Sequence, residues 1–340
     1  MRSPLAVTLG LMQISKTKVD AAGASLVEAS VNKLPEPREA SNVVDAWRQL
    51  HADSMEWVSD LLKRRVVEPL PTARAAQRLK RKPQIVEKLK RSSTRLSQMQ
   101  DIAGCRALLP DLAAVEAARA RLLKNTAPWY SVKDEDDYRT DGRPDTGYRA
   151  VHLKLVRDER AVEVQLRTIL QHAWAEAVER AGERTNFALK AGEGPAEVLD
   201  FFRAASDAFA LLEHGKTVSA KMRRMLRHGY SGVRSYLPAD SGPVHPAQLD
   251  ALHFASRSNN WLIIYNWHEA RFVNWMSLGT DAEAAAERYG DYERRYPFED
   301  GYEVVLIGAD SAETIRHTHA HYFGSSPNDL DPHGFLARIL

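Results

Sequence analysis

The chain has 340 residues, 44% of them hydrophobic and 27% charged, which is ordinary globular composition and long enough for two domains. No apolar run reaches the length of a membrane helix, and residues 1–11 hold one arginine and no cleavage site, so a cytoplasmic protein without a membrane partner is expected. The net charge of +2 hides an imbalance: residues 61–100 carry twelve Lys or Arg against two acids, and residues 245–340 carry seven Arg against fourteen acids.

Residues 1–40 show no sustained period and contain Pro35 and Pro37, so a mobile N-terminal segment is expected. Residues 41–65 read as an amphipathic helix with Val44, Trp47, Leu50, Met55, Val58, Leu61 and Leu62 towards the core, stopped by Pro69 and Pro71. A basic helix is expected over 73–92, a strand over 103–109 and an alanine-rich helix over 111–124. The single cysteine, Cys105, lies in that strand and reads as a buried thiol. Strands follow at 148–156 and 161–168, joined by Arg157-Asp158-Glu159-Arg160, which is polar and short enough for a hairpin turn. Helices are expected from Thr168 to 181, over 196–214 and over 216–227.

Residues 229–246, with Gly229, Gly232, Pro238, Gly242, Pro243 and Pro246, read as a linker. Beyond it, strands near 261–265, 272–275 and 303–307 and helices near 280–295 and 310–322 fit a separate small α/β domain over 247–340. His317, His319 and His321 suggest a metal site at first sight. On a helix only His317 and His321 share a face, and no Cys or carboxylate completes a site, so packed or surface histidines are expected.

Alternation along the two hairpin strands separates chemistry from core. Val151, Leu153, Leu155, Val162, Val164 and Leu166 fall on one face; Tyr148, His152, Lys154, Glu163, Gln165 and Arg167 fall on the other. Asp101 stands just before the strand at 103–109, with Arg106 within it. Two carboxylates, several cations and an aromatic ring are equipment for holding a nucleotide and a metal, although spacing alone does not identify a reaction.

Four motifs occur in order: Arg78-Leu-Lys80 with Ile85 and Lys88-Leu89; Asp101-Ile-Ala-Gly-Cys-Arg106; Gly147-Tyr-Arg-Ala-Val-His152; and Val162-Glu-Val-Gln-Leu-Arg-Thr168 with His172 and Trp174-Ala-Glu176. Together they resemble the synthetase domain of the RelA/SpoT alarmone-synthetase family, over about 45–225. The resemblance implies an α+β fold, a nucleotidyltransferase-like mixed sheet flanked by helices, over a domain placed at 41–228. It also implies transfer of the β,γ-pyrophosphate of ATP to a ribose 3′-hydroxyl of GDP or GTP. Asp101 and Glu163 would be the catalytic pair and the Mg²⁺ ligands, with Glu163 either general base or second metal ligand. Arg78, Lys80, Lys88 and Arg106 would hold ATP. Tyr148 would stack on the acceptor base, with His152, Gln165 and Arg167 around it.

The chain departs from the family pattern at several places. Gln84 stands where a serine is usual, Pro83 comes one position late, and Arg143-Pro144-Asp145-Thr146-Gly147 inverts a usual Pro-Lys-x-x-Gly run. Asp134-Glu135-Asp136-Asp137-Tyr138 resembles the acidic version of synthetase-only members, and no His-Asp dipeptide of the family's hydrolase domain occurs. Two other functions stay open: a toxin of the same family that pyrophosphorylates the tRNA 3′ end, and an inactive nucleotide- or RNA-binding module. For the first, Arg81, Lys82, Lys90 and Arg91 are the candidate RNA contacts, because the basic density exceeds what one ATP requires. Retained Asp101 and Glu163 argue against the second. The acidic C-terminal part is expected either to lie over the basic helix, regulating it or sensing a partner, or merely to stabilise the fold. A neutralising antitoxin and a homo-oligomer are both left open.

Overall fold

The computed structural model describes residues 14–124, 129–185, 187–233, 260–269, 271–309, 311–319 and 322. Its frame is an eight-stranded mixed sheet of β1 (Arg74–Leu79), β2 (Ala103–Leu109), β3 (Ser131–Asp137), β4 (Val151–Arg157), β5 (Arg160–Thr168), β6 (Asn260–Asn266), β7 (Arg271–Gly279) and β8 (Tyr302–Ala309). The order is β3-β4-β5-β2-β1-β8-β6-β7. β2 and β5 are parallel; the other neighbours are antiparallel. The β4–β5 hairpin forms at the expected place. Asp158 and Glu159 both take positive φ, 48° and 63°, as a two-residue turn that matches strand twist requires.

The expected basic helix over 73–92 is instead a strand, β1, followed by α4 (Lys82–Arg91). Alanine, leucine and arginine favour helix, but β1 is paired on both sides, by β2 and β8, and those ladders override propensity. Pro83 sits in the first turn of α4, where its missing N–H costs nothing. The expected helix over 41–65 divides into α2 (Arg38–Gln49) and α3 (Ala52–Leu62), continued by a π-helical turn over 63–67. The N-terminal segment, expected to be mobile, carries α1 (Lys16–Val31), capped by Ser15, whose Oγ accepts from the Lys18 N–H. Its buried residues, Val19, Ala22, Leu26 and Ala29, do follow a helical spacing, but two alanines weaken the signal. β3, which the sequence did not disclose, is an acidic edge strand; Lys154 on β4 reaches Asp134 at 2.6 Å and Asp136 at 3.3 Å.

Helices α5 (Leu112–Leu123), α6 (Ile169–Thr185), α7 (Ala196–Glu213), α8 (Ala220–Val233), α9 (Ala282–Arg295) and α10 (Ala312–Thr318) complete the described fold. Part of the expected linker, 229–233, belongs to α8; the rest of it lies outside the described residues.

The separate C-terminal domain expected at 247–340 is corrected by the topology. β8 pairs with β1 in register, Arg78 opposite Ile307, so β6, β7 and β8 extend the same sheet. One apolar core crosses that seam: Leu79, Cys105, Leu153, Val164 and Leu166 share a cluster with Leu262, Ile264, Tyr289, Val304 and Leu306. Burial pushes the Cys105 thiol up, so it is inert. Ion pairs close the seam, with Arg48 joined to Glu293 at 2.6 Å and Arg81 to Glu303.

Candidate active-site cleft

The face of the sheet opposite this core carries the polar residues. Strand register places Arg78, Gly104, Glu163 and Lys154 in one row across β1, β2, β5 and β4, and Ala76, Arg106, Gln165 and His152 in the next. Gly104 leaves the floor clear between Arg78 and Glu163. These rows line a cleft of about 1160 Å³, shared with Lys80, Lys88, Asp101, Tyr148, Arg167 and Trp174. Single ligand pockets are roughly 300–1,000 Å³, so the cleft exceeds the usual volume for one small ligand.

Asp101 ends the loop that leads into β2. Its Oδ2 accepts from Lys80 Nζ at 3.0 Å and Lys88 Nζ at 2.8 Å. Its Oδ1 is buried and has no protein partner. Burial alone would raise its pKa, but the two ammonium groups outweigh this and hold the carboxylate below its ordinary value. Lys80 is lowered, by burial first and then by Arg78 and Lys88, which outweigh the attraction of Asp101.

Glu163 lies in a connected polar chain. Its Oε1 is 3.0 Å from His152 Nδ1, and its Oε2 accepts from Gln165 Nε2 at 2.7 Å. His152 Nε2 is 2.6 Å from the Tyr148 hydroxyl, and Arg167 Nη2 donates to that hydroxyl at 2.6 Å and to Gln165 Oε1 at 2.7 Å. Burial opposes charge on His152 and Glu163, yet the partners win. His152 is pushed up to about 9, and Glu163 is held well below the carboxylate range. Tyr148 is lowered, because the charges of Arg167 and His152 outweigh the effect of its burial.

Tyr148 is placed by Gly147, whose φ of +80° and close approach to Arg203 on α7 admit no side chain without strain. Arg167 stands 4.9 Å over the Tyr148 ring, with Tyr138 edge-on and Trp174 tilted beside it. Arg106 is lowered to about 10, by burial first and then by the neighbouring charges of Arg167 and Arg78, with Glu176 opposing; it is still a cation at neutral pH.

Residues 77–182 match the model of the family described as the region found in RelA / SpoT proteins. This segment is a RelA/SpoT-family domain. An uncharacterized protein of Mycobacterium tuberculosis and one of Mycobacterium bovis are each 32% identical over 174 residues, 47% of this chain. The chain spans 61% of the length of these relatives. Among solved structures, small alarmone synthetase 1 of Bacillus subtilis bound to its product pppGpp is 24% identical, with a TM-score of 0.42 over 48% of this chain and 89% of that one. Small alarmone synthetase 2 of the same organism is 20% identical, with a TM-score of 0.40 over 48% and 93%.

The RelA/SpoT region holds every residue expected around the nucleotides, and the fold brings Arg78, Lys80, Lys88, Asp101, Arg106, Tyr148, His152, Glu163, Gln165 and Arg167 to one cleft. The expected RNA contacts are corrected in part. Lys82 is buried against Glu36, Ser41 and Asp45, and Arg81 is paired with Glu303, so neither stands on the outer surface where an RNA would lie. Lys90 pairs with Glu87 at 2.7 Å, and Arg91 Nε donates to the Glu87 carbonyl at 3.2 Å, both towards the surface. Alternation put Lys154 on the polar face beside His152 without giving it a role, and His319, expected as a packed or surface histidine rather than a metal ligand, is buried and lines the cleft.

Among the described residues no group of three or more His, Cys, Asp or Glu side chains forms a metal cage. A Mg²⁺ ion fits differently here. It prefers one or two carboxylates and completes its shell with phosphate oxygens and water, and the buried, unpartnered Oδ1 of Asp101 is such a ligand.

Proposed function

We propose that this chain is an ATP-dependent pyrophosphokinase with GDP or GTP as acceptor, forming (p)ppGpp. The ribose 3′-hydroxyl oxygen attacks the β-phosphorus of ATP, the bond from that phosphorus to the α,β-bridging oxygen breaks, AMP leaves with that oxygen and its electron pair, and the hydroxyl proton is released to solvent. The observation that carries this reading is the unpartnered Oδ1 of Asp101, set in one cleft with Glu163 and the cations Arg78, Lys80, Lys88, Arg106 and Arg167. Charge accumulates on phosphate oxygens in such a reaction, and catalysis rests on cations and positioning. Mg²⁺, held by Asp101 with Glu163, would supply further neutralisation of the phosphate oxygens.

Arg78, Lys80, Lys88 and Arg106 belong on the ATP side, and Tyr148, His152, Gln165 and Arg167 on the acceptor side. Of the two roles open to Glu163, an electrostatic and positioning role is favoured. A carboxylate held far below neutral pH by His152 and Gln165 is a weak proton acceptor, yet it accepts a hydrogen bond from a ribose hydroxyl well.

A second reading, the tRNA 3′ end as acceptor, is favoured by one feature. Helix α8 exposes Lys221, Arg223 and Arg224, and residues 214–233 contain no acid. Incubation with ATP labelled on its terminal phosphate, offered GDP, GTP, ATP and deacylated tRNA in parallel, decides between the two. Label in GDP or GTP supports the first reading, label in tRNA alone the second, and label in none overturns both.

A further inference from the structure

One wall of the cleft comes from outside the RelA/SpoT region. His319 is buried and lines the cleft together with Arg78, Arg81 and Arg106. The carbonyl of Thr318 accepts a hydrogen bond from Arg106 Nη1 at 3.0 Å. Thr318 is itself fixed, since its hydroxyl donates to the Thr314 carbonyl at 2.8 Å and lies 2.9 Å from His319 Nδ1. The His319 ring lies within 13° of parallel to Tyr322, whose hydroxyl donates to Glu303, the partner of Arg81. A line of contacts therefore runs from Arg106 to Arg81 entirely through residues 303–322.

We propose that Thr318 and His319 position the nucleotide on the ATP side of the cleft, Thr318 by holding Arg106 and His319 by direct contact with the bound polyphosphate nucleotide. A guanidinium has five donors in a rigid plane. With Nη1 tied to Thr318, the plane of Arg106 is set, and its buried Nε, which has no protein partner, is kept for a phosphate oxygen. Misplacing such a group by an ångström costs far more than its packing does. The proposal rests on the pyrophosphokinase reading for which side takes ATP, but not on turnover.

The test is His319→Ala and Thr318→Val in the full chain, with Thr318→Ser as the variant that keeps the hydroxyl. Affinity for α,β-methylene-ATP is measured by calorimetry, KM for ATP and for GDP by turnover, and folding by thermal melting. His319→Ala removes the direct contact and predicts about a tenfold weaker affinity for the analogue with a matching rise in KM for ATP; Thr318→Val keeps the carbonyl that holds Arg106 but removes the hydroxyl that fixes it and the His319 ring, so its loss runs the same way and is smaller. KM for GDP should stay within about twofold, and Thr318→Ser should restore the analogue affinity lost in Thr318→Val. An unchanged analogue affinity in folded His319→Ala and Thr318→Val, or parallel rises in both KM values, overturns the wall. If His319→Ala does not fold, the Val and Ser pair at 318 decides alone. An intact protein that binds the analogue but transfers nothing overturns the activity and leaves this inference standing.

Discussion

Asp101 gives one carboxylate oxygen to two ammonium groups and keeps the other buried without a partner. Asp101→Asn preserves volume and removes the charge that holds Lys80 and Lys88 and that would hold the proposed Mg²⁺. By the scale of a single lost electrostatic contact, kcat should fall roughly 10²–10³-fold with the melting temperature little changed. Near-normal turnover at saturating Mg²⁺ would remove Asp101 from the reaction. His152 gives a pH test. Its folded value of about 9 lies above its ordinary 6.5, so its charged pairing with Glu163 stabilises fully below 6.5 and is lost as pH rises through about 9. Glu163, lowered, contributes above its ordinary 4.5 and loses that contribution only as pH falls towards its folded value. His152→Gln removes the titrating charge. The stability gap between wild type and variant should be flat from about pH 5 to 6.5 and narrow towards pH 9, as thermal melts across that range would show. A gap constant throughout would mean that folding does not shift the pKa of the ring.

At the scale of elements, the junction of β1 with β8 decides how the cleft is built, because β1 carries Arg78 and leads to Lys80. Gly308 lies opposite Gln77 there, and a Cβ at 308 would collide with the Gln77 side chain. Gly308→Val should therefore separate the strands, destabilise the protein by about 1–3 kcal/mol as overpacking does, and raise KM for ATP more than KM for the acceptor. Unchanged stability and unchanged KM would show that the junction tolerates a side chain. The β4–β5 hairpin was legible in the sequence because its signals are local: strict alternation and a short polar connection over 157–160. The cluster at Asp101, Tyr148 and Glu163 was legible through motif resemblance together with that alternation. β1 was not, since Arg74-Ala-Ala-Gln-Arg-Leu79 has helical propensity, and the two ladders that make it a strand come from partners far along the chain. The same non-locality hid the fate of Arg81 and Lys82. Their charge is visible in the sequence, but Glu303 and Asp45, which bury it, are not adjacent to them.

For the whole molecule, the opposite charges of residues 61–100 and 245–340 do meet, in the buried pair of Arg81 with Glu303, but within a continuous sheet rather than as a loose cover. Arg81 with Glu303 and Arg48 with Glu293 are nearly inaccessible to solvent, so salt screens them little. Truncation after Pro243 would remove β6, β7, β8, α9 and α10 together. The edge of β1 would lose the partners of Ala76, Gln77 and Arg78; buried Arg81 would lose Glu303, and buried Arg48 would lose Glu293 and keep Asp45. Breaking a buried pair costs about 3–5 kcal/mol, and each buried Leu, Ile or Val lost from the shared core costs about 1.5–3 kcal/mol more. Those losses exceed the roughly 5–15 kcal/mol by which a domain is stable. The truncated chain is expected to be insoluble or unfolded, whereas removal of a regulatory cover would raise activity. Soluble yield, circular dichroism and transferase activity of residues 1–243 distinguish the two. A folded, active fragment would show that the C-terminal strands are dispensable to the sheet they extend, and the ATP-side wall at Thr318 and His319 would then be dispensable with them.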